Sequence, residues 1–352
     1  MKKAVLVLED GSHYIGKLIG SEGEVFGQLV FNSSMTGYQE ILTDPCYRGK
    51  IVTFTYPMIG NYGYNLEDNE SPMVQARGVI IKELCDEPSS WRSHGSLADF
   101  LRMNGITGIQ DIDTRHLVHS LREKGSMRGI ISSVNDNVEA LLDKVNKLSK
   151  LHTDPVAEIT VGSVFSLEGK GPRIAVLDLG VKYSLINSLA SLDCHIFMLP
   201  AYADDKEILS LRPDGVILSG GPGDPRMLPY AVKTIRALIG QKPILGIGLG
   251  CQLAGMAMGM EVARLKAGHY GNNQPVKDLS NQRVYMTYQH HDFILESDSA
   301  KDLVVTHINM NDNTVEGFIS TRYPLRGIQF HPGFALAEDE SSRVLTEFVA
   351  SL

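Results

Sequence analysis

The sequence predicts an α/β protein of two domains, a mixed β/α domain followed by a doubly wound α/β domain. After Arg173, apolar runs of strand length alternate regularly with segments of helical periodicity, which is typical of a parallel sheet with crossover helices. Before Arg173, strands and helices are grouped with little such alternation. The chain of 352 residues, of which 43% are hydrophobic and 21% are charged, is long enough to bury two cores.

The composition excludes several classes of protein. With 33 basic and 41 acidic residues and no basic cluster, the chain is not expected to bind nucleic acid. Glu9 and Asp10 interrupt the first apolar run, which therefore predicts a strand and not a signal peptide. No run approaches the ~20 apolar residues that a membrane span needs. The cysteines have neither disulfide-framework nor metal-motif spacing, so we expect a cytoplasmic protein; they are Cys46, Cys85, Cys194 and Cys251.

The first domain is predicted to span residues 1–150 and to combine short strands with helices. Runs rich in valine, leucine and isoleucine predict strands at 4–8, 28–31, 51–56 and 78–82. Helical spacing of apolar residues predicts helices at 97–103, 116–123 and 135–148. The polar blocks 35–40 and 41–47 are interpreted as turns and caps. A weakly patterned stretch predicts a linker at 151–172.

The second domain is predicted to span residues 173–352. Its first half alternates strands at 174–180, 195–200 and 215–220 with helices at 184–192, 205–211 and 229–239. Its second half is expected to contain shorter strands and a final helix; the strands are 283–289, 293–297, 303–308, 315–320 and 325–330, and the helix is 341–352. Ligands of such sheets bind beyond the carboxyl ends of the parallel strands.

One stretch has the layout of a nucleophile elbow. A short apolar strand, Ile244 and Leu245, leads into alternate glycines and then an apolar helical run at 253–258. In this layout a sharp turn presents one reactive side chain at the edge of a sheet. The residue at the apex is Gly248, which has no side chain. The sequence therefore predicts an elbow whose nucleophile is missing.

Three nearby features could contribute chemistry. The glycine loop 220–225 ends a predicted strand, where its backbone N–H groups could hold an anion. His331 also follows a strand and is a candidate general base. Cys251 in the first turn of the elbow helix could be a substitute nucleophile, although it lies ~4.5 Å along the helix axis from the apex. His290 and His291 are adjacent in a strand and point to opposite faces, so we predict no metal site from them or elsewhere.

The chain resembles the small, amidotransferase subunits of carbamoyl phosphate synthetases over essentially its whole length. The resemblance rests on three motifs of the first domain and on the elbow, which all class I glutamine amidotransferases share. The motifs are Met35-Thr-Gly-Tyr-Gln-Glu-Ile-Leu-Thr-Asp-Pro45, Tyr56-Pro-Met-Ile-Gly-Asn61 and Ile112-Asp-Thr-Arg115. The resemblance implies a class I glutamine-amidotransferase-like fold for residues 173–352.

This family hydrolyses glutamine with a Cys-His-Glu triad, and only one triad position matches here. The resemblance places Gly248 at the nucleophile, His331 at the histidine and Gly333 at the glutamate, and Cys251 falls on the histidine of the elbow motif. The positions that contact glutamine in the family are partly retained and partly altered. The retained ones are Gly221, Gly223, Leu249, Gln252 and Phe293, and the altered ones are Cys46 for serine, His290 for asparagine and Asp292 for glycine.

The resemblance implies a subunit that supplies ammonia from glutamine to a large, ATP-using subunit for carbamoyl phosphate, in arginine or pyrimidine synthesis. The altered triad indicates that glutamine hydrolysis is lost and that the chain supports or regulates an ammonia-using large subunit. Two alternatives remain open at this point. One is a working glutaminase that uses Cys251 with His331, and the other is a stand-alone module whose altered pocket binds a different small metabolite. No cofactor is expected in this chain, because ATP belongs to the partner.

Overall fold

A computed structural model describes residues 2–149, 154–296, 302–332 and 340–352. The chain divides into two compact units. The first comprises Met1–Thr153 with Lys266–Gly271, and the second comprises Asp154–Leu265 with Asn272–Leu352. The predicted linker lies partly outside the described residues, and its part from Asp154 onward belongs to the second unit.

The first unit is built on a closed barrel of seven strands in the order β1-β2-β8-β6-β4-β3-β9, and two further strands, β5 and β7, pair beside it. The nine strands are β1 Lys3–Leu8, β2 His13–Gly20, β3 Glu24–Asn32, β4 Lys50–Phe54, β5 Met58–Ile59, β6 Gly78–Ile80, β7 Glu83–Leu84, β8 Thr107–Gln110 and β9 Arg128–Ser132. Closure leaves no exposed barrel edge. All four predicted strands are confirmed, but β2, β8 and β9 were not predicted, because short runs that contain glycine give a weak strand pattern.

Four helices belong to the first unit: α1 Tyr38–Thr43, α2 Leu97–Met103, α3 Thr114–Lys124 and α4 Val138–Leu148. Side-chain caps fix where three of them begin, because Ser96, Asp113 and Asn137 each accept a hydrogen bond from a backbone N–H in the first turn. The interpretation of 35–47 as turns and caps alone is wrong, since α1 lies within this stretch. Tertiary burial of its tyrosine and isoleucine stabilises this short helix.

The second unit contains one ten-stranded sheet in the order β10-β12-β11-β13-β14-β19-β18-β17-β15-β16. Its strands are β10 Phe165–Leu167, β11 Arg173–Asp178, β12 His195–Pro200, β13 Gly215–Leu218, β14 Ile244–Ile247, β15 Val262–Asp278, β16 Val284–Leu295, β17 Leu303–Asn309, β18 Val315–Ser320 and β19 Leu325–Ile328. Its helices are α5 Tyr183–Ser191, α6 Asp205–Ser210, α7 Pro229–Leu238, α8 Leu249–Ala257 and α9 Glu340–Ala350. This confirms the doubly wound half of the prediction.

Five neighbouring strands of this sheet, from β12 to β19, run parallel, so their carboxyl ends meet at one edge. The strands β10 and β18 pair antiparallel at the two ends of this group. Two predictions for the second half are corrected. The predicted strands at 283–289 and 293–297 are one strand, β16, because the polar residues between them continue the extended chain. The 17-residue strand β15 was not predicted.

Apolar side chains pack on both faces of the parallel strands. One core cluster includes Leu177, Leu218 and Leu253, and the cluster on the other face includes Val176, Ile217 and Phe348. Neighbouring residues of one strand thus point to opposite faces, as strand geometry requires. Among the described residues, every helix is too short or too polar to span a bilayer.

Candidate functional site

The elbow joins β14 to α8 through Gly248, which has φ 54° and ψ −114°. Side chains are strained in this backbone region, and glycine adopts it without that cost. The Gly248 N–H donates to the Ile328 carbonyl at 2.8 Å, which ties the turn to the neighbouring strand β19. The Gln252 N–H donates to the Gly248 carbonyl at 3.1 Å and closes the first turn of α8. The backbone of a nucleophile elbow is therefore present.

The apex faces His331. A Cβ atom built at residue 248 would lie 3.0 Å from Nε2 of His331 and 3.5 Å from its Cε1. A thiol at this position would be within reach of the imidazole, which is the arrangement of a nucleophile and its base. His331 follows β19 and its N–H donates to the Tyr288 carbonyl at 3.0 Å. The structure thus brings two predicted site positions together, and one of them has no reactive atom.

The glycine loop after β13 lies against the same imidazole. A Cβ atom at Gly220 would lie 2.3 Å from Cε1 of His331, closer than any real contact. The Cα of the next residue, Gly221, lies close to the backbone of Leu179, since a Cβ there would lie 2.0 Å from the Leu179 carbonyl oxygen. Gly223 has φ 98°, a conformation that favours glycine. The His331 ring therefore occupies space that a side chain at residue 220 would need.

His290 contacts His331 from the strand β16. The ring centroids lie 3.9 Å apart at 72°, and both residues are 4% exposed. Tyr288, two residues earlier on the same face, meets His290 edge-on at 5.0 Å. The ammonium of Lys182 lies 4.6 Å above the Tyr288 ring, and this lysine is 3% exposed. Two histidines, a tyrosine and a buried lysine thus form one cluster, which we call the histidine cluster.

His291 points to the other face of β16, as strand alternation predicts. Its Nδ1 lies 2.9 Å from the Phe293 carbonyl, and its Nε2 lies 3.1 Å from the Gln289 amide oxygen. Gln289 donates in turn to the buried carboxylate of Glu316 at 2.9 Å. His291 therefore belongs to a buried polar network that is separate from the histidine cluster.

The retained positions beside the elbow have structural contacts of their own. The Gln252 amide donates to the Phe293 carbonyl at 2.8 Å and to the Gln329 amide oxygen at 3.3 Å. Leu249 is 4% exposed at the start of α8, and Asp292 and Phe293 are each 7% exposed on β16. The guanidinium of Arg226 lies 5.2 Å above the Phe293 ring. These contacts explain how the elbow helix is held against β16 without any reactive group.

The surroundings of Cys251 argue against its proposed role as a substitute nucleophile. The residue is 1% exposed, and a Cβ atom at Gly327 in β19 would lie 2.8 Å from its Sγ. The thiol therefore packs in the core against the sheet. Burial raises its pKa well above the ordinary value, and the Glu316 carboxylate raises it further. A buried thiol with a raised pKa is a poor nucleophile, because the thiolate is the reactive form.

Of the remaining predicted site positions, Cys46 belongs to the first unit. It lies in a 3₁₀ turn at Pro45–Tyr47, where its N–H donates to Asp44 Oδ1 at 2.9 Å. It is buried in the same turn as Tyr47. Gly333 lies outside the described residues.

Sequence reasoning missed two residues of the site, Lys182 and Tyr288. Lys182 is the N-cap residue of α5, just beyond the carboxyl end of β11, where a ligand is expected in such a sheet. Tyr288 is two residues from His290 and therefore shares its face of β16. Both positions could have been found by applying the strand alternation and the rule of carboxyl ends to the polar residues.

Comparison with known proteins identifies both halves of the chain. Residues 6–131 match the model of the carbamoyl-phosphate synthase small chain, CPSase domain, and residues 175–351 match that of glutamine amidotransferase class-I. The carbamoyl phosphate synthase small chain of Listeria monocytogenes is 43% identical over 99% of this chain and 96% of its own length. That of Syntrophotalea carbinolica is 44% identical over 94% and 92%.

The name of a third relative also specifies a pathway. The carbamoyl phosphate synthase pyrimidine-specific small chain of Bacillus subtilis is 40% identical over 99% of this chain and 95% of its own length. Identity at this level over nearly the whole length shows common ancestry of both units. The chain therefore belongs to the family of carbamoyl phosphate synthase small chains, whose second half is a class I glutamine amidotransferase domain.

Proposed function

We propose that this chain is a small subunit of carbamoyl phosphate synthase that no longer hydrolyses glutamine. One observation carries the proposal: the position that faces Nε2 of His331 from the apex of the elbow is Gly248. A thioester with glutamine requires a sulfur atom at that point, and no neighbouring base replaces an absent atom. Removing the nucleophile of a catalytic triad lowers kcat by about 10⁶-fold in a well-studied protease.

The other altered positions support the same conclusion. The resemblance assigns the triad glutamate to Gly333, so the partner that would orient the imidazole is also replaced. His290 and Asp292 replace an asparagine and a glycine at positions that contact glutamine in the family. Asp292 adds a carboxylate where glutamine brings its own, and two like charges in a buried site repel. A substrate that binds poorly and meets no nucleophile is not hydrolysed.

The proposed partner is a large subunit that binds ATP and uses free ammonia to make carbamoyl phosphate. Support comes from the first unit, which matches the small-chain domain model over residues 6–131. Identity of about 40% extends over both units, so the alterations do not reflect a general loss of sequence constraint. We place the product in pyrimidine or arginine synthesis and the complex in the cytoplasm. In this arrangement the small chain supports or regulates its partner.

A stand-alone binding module is the second candidate, and the histidine cluster favours it. A buried lysine and two buried histidines at the carboxyl edge of a parallel sheet could hold a small ligand other than glutamine. This candidate differs from the first in one respect: it requires no large subunit. Co-purification of a large subunit with the chain from its own cells would exclude it.

The first experiment measures glutamate release from glutamine by the purified chain, alone and with a large subunit of the family. A small chain from a relative that has cysteine at the apex is the positive control. We expect no release above background in either condition and an unchanged result for Cys251→Ala. Carbamoyl phosphate formation from ammonia by the large subunit is measured in parallel, and we expect the small chain to increase its rate or stability.

Two results would contradict the proposal. Glutamate release that disappears in Cys251→Ala would mean that the core thiol is the nucleophile. An ammonia-dependent rate that is the same with and without the small chain, together with no binding between the two chains, would remove the supporting role.

A further inference from the structure

Strand alternation separates His290 from His291, which led to the prediction of no metal site. The structure instead pairs His290 with a histidine that is remote in sequence, His331. We propose that His290 and His331 supply two imidazole ligands to one first-row transition-metal ion of the zinc class. This inference goes beyond the proposed loss of glutamine hydrolysis and does not depend on it.

The distances between the two rings fit this class of ion. One nitrogen of each ring lies within 4.8 Å of the other. Tetrahedral zinc with Zn–N bonds of about 2.0–2.1 Å places two nitrogen ligands roughly 3.3 Å apart. The rings pack edge-to-face with their centroids 3.9 Å apart, so coordination requires small rotations about their side-chain bonds. Imidazole nitrogens are ligands that zinc, copper and nickel all accept.

The backbone already holds the two ligands in place. The His331 N–H donates to the Tyr288 carbonyl at 3.0 Å, and Tyr288 is two residues from His290 on the same strand. Both histidines are therefore held by β16. His290 is part of this strand, and the backbone of His331 is hydrogen-bonded to it. Both side chains are also buried, at 4% exposure each. Rigid, buried ligands reduce the ordering that metal binding would otherwise require.

The missing nucleophile leaves space on the side of the ring where an ion would bind. The Cβ position of residue 248 is 3.0 Å from Nε2 of His331, and glycine leaves that position without a side chain. The neighbouring loop residue nearest to this point is also a glycine, Gly220. An ion bonded to Nε2 could thus occupy a region that belongs to the nucleophile in the rest of the family.

Two charged side chains lie near the two histidines. The Lys182 ammonium lies above Tyr288, whose ring contacts both histidines. Asp292 lies on the same face of β16 as His290 and adds a negative charge near the ion.

The test is a zinc titration of the full chain after removal of metals with a chelator. We expect wild-type protein to bind one equivalent that His290→Asn and His331→Asn each weaken by at least about 100-fold, more than loss of a second-shell partner costs. His116→Asn and His119→Asn are the matched controls, because these exposed histidines line a surface groove of about 410 Å³ in the first unit. We expect both controls to bind zinc like the wild type.

A second variant tests the geometry without removing a ligand. A Cβ atom at Gly220 would displace the His331 ring, so Gly220→Ala should weaken zinc binding while both histidines remain. Thermal unfolding with and without zinc gives an independent readout, since a ligand that binds the folded state raises Tm. We expect this rise in wild type and in the controls, and its absence in the His290→Asn/His331→Asn double variant.

Two outcomes would overturn the proposal. One is a double variant that binds zinc as tightly as wild type, and the other is wild-type protein that binds no zinc at all. Neither outcome bears on glutamine hydrolysis, which is measured separately by glutamate release. If the chain did hydrolyse glutamine, the zinc proposal would still be decided by the zinc titration alone.

Discussion

Two regions of the molecule that carry family motifs differ in what holds them in place. The first is the polar–aromatic block of the first unit, residues 35–47, and the second is the elbow, residues 246–252. In the block, side chains make the structure: Gln39 exchanges hydrogen bonds with Asn65, and Thr43 accepts from the Glu70 N–H at 2.9 Å. In the elbow, the backbone makes the structure, because its glycines allow chain segments to approach closely.

This difference explains why the elbow can form with glycine at its apex. The close approach of Gly250 to Leu218 and the hydrogen bond from Gly248 to Ile328 need no reactive side chain. A nucleophile contributes little to such a turn and even strains it, because a side chain at φ 54° is unfavourable. The block has no such freedom, since the side chains of Gln39 and Thr43 satisfy buried polar partners. Four substitutions test the contrast, in decreasing order of expected effect.

The largest effect is expected from Gly250→Ala. A Cβ atom there would lie 2.2 Å from the Leu218 carbonyl oxygen, so backbone must move. We expect the free energy of unfolding to fall by about 3 kcal/mol or more, measured by urea denaturation. Gly162→Ala is the control, because no heavy atom lies within 4 Å of its Cβ position. Equal stability of the two variants would show that close backbone approach does not hold the elbow.

The next effect is expected from Gln39→Ala in the block. The Gln39 amide donates to the Asn65 carbonyl at 2.5 Å and to Asn69 Oδ1 at 2.7 Å, and it accepts from the Asn65 N–H at 2.9 Å. Losing these bonds leaves buried polar groups unpaired, which should cost about 2–3 kcal/mol of unfolding free energy.

The matched control for this substitution is Gln241→Ala, since this exposed glutamine follows α7 and donates to the Ala237 carbonyl at the end of that helix. We expect it to change stability by less than about 0.5 kcal/mol. If Gln39→Ala were equally mild, the block would not depend on its side chains and the contrast with the elbow would fail.

The third test uses pH and concerns Glu40, which lies in the first turn of α1. Burial, together with the charges of Asp68 and Glu70, raises the pKa of its carboxyl from 4.5 to about 7. The folded state therefore holds a proton that the unfolded state releases near pH 4.5. Stability from this group is present below pH 4.5 and is lost as pH rises to about 7, by on the order of 2 kcal/mol.

Glu40→Gln should remove this dependence, because an amide does not titrate. Urea denaturation of both proteins between pH 5 and pH 8 measures the difference in the two slopes. We expect the variant to gain stability relative to wild type as pH rises. A constant difference across this range would mean that the Glu40 carboxyl titrates alike in both states.

Much of the second unit could be predicted from sequence because its periodicity is strong. The parallel strands from Arg173 to Ile247 are uninterrupted apolar runs, and the elbow glycines place the turn within one or two residues. The barrel of the first unit could not be predicted, because closure depends on the antiparallel pairing of β1 with β9 across more than 120 residues. Strand pairing over such a separation leaves no local pattern in the sequence.

The site was predicted in part for a similar reason. Gly248 at the apex and His331 are visible in the sequence, since each occupies a fixed place beside glycines or a proline. The contact of His290 with His331 was not visible, because His290 lies on β16 and His331 follows β19, and no local pattern shows that these two segments meet. The role of Cys251 stayed open at the sequence level, because helix periodicity alone did not show that its thiol faces β19.

The smallest effect is expected from Gly220→Ala. Gly220 lies beside the elbow, but a side chain there would displace a ring, whereas one at Gly250 would displace backbone. The atom nearest to the new Cβ belongs to the His331 ring, at 2.3 Å, and the backbone is farther away. A side chain can rotate where a strand cannot, so we expect a loss of less than about 1 kcal/mol in unfolding free energy. A loss as large as that of Gly250→Ala would show that the His331 ring is packed as rigidly as the backbone, and that the space left by the nucleophile is part of the fold.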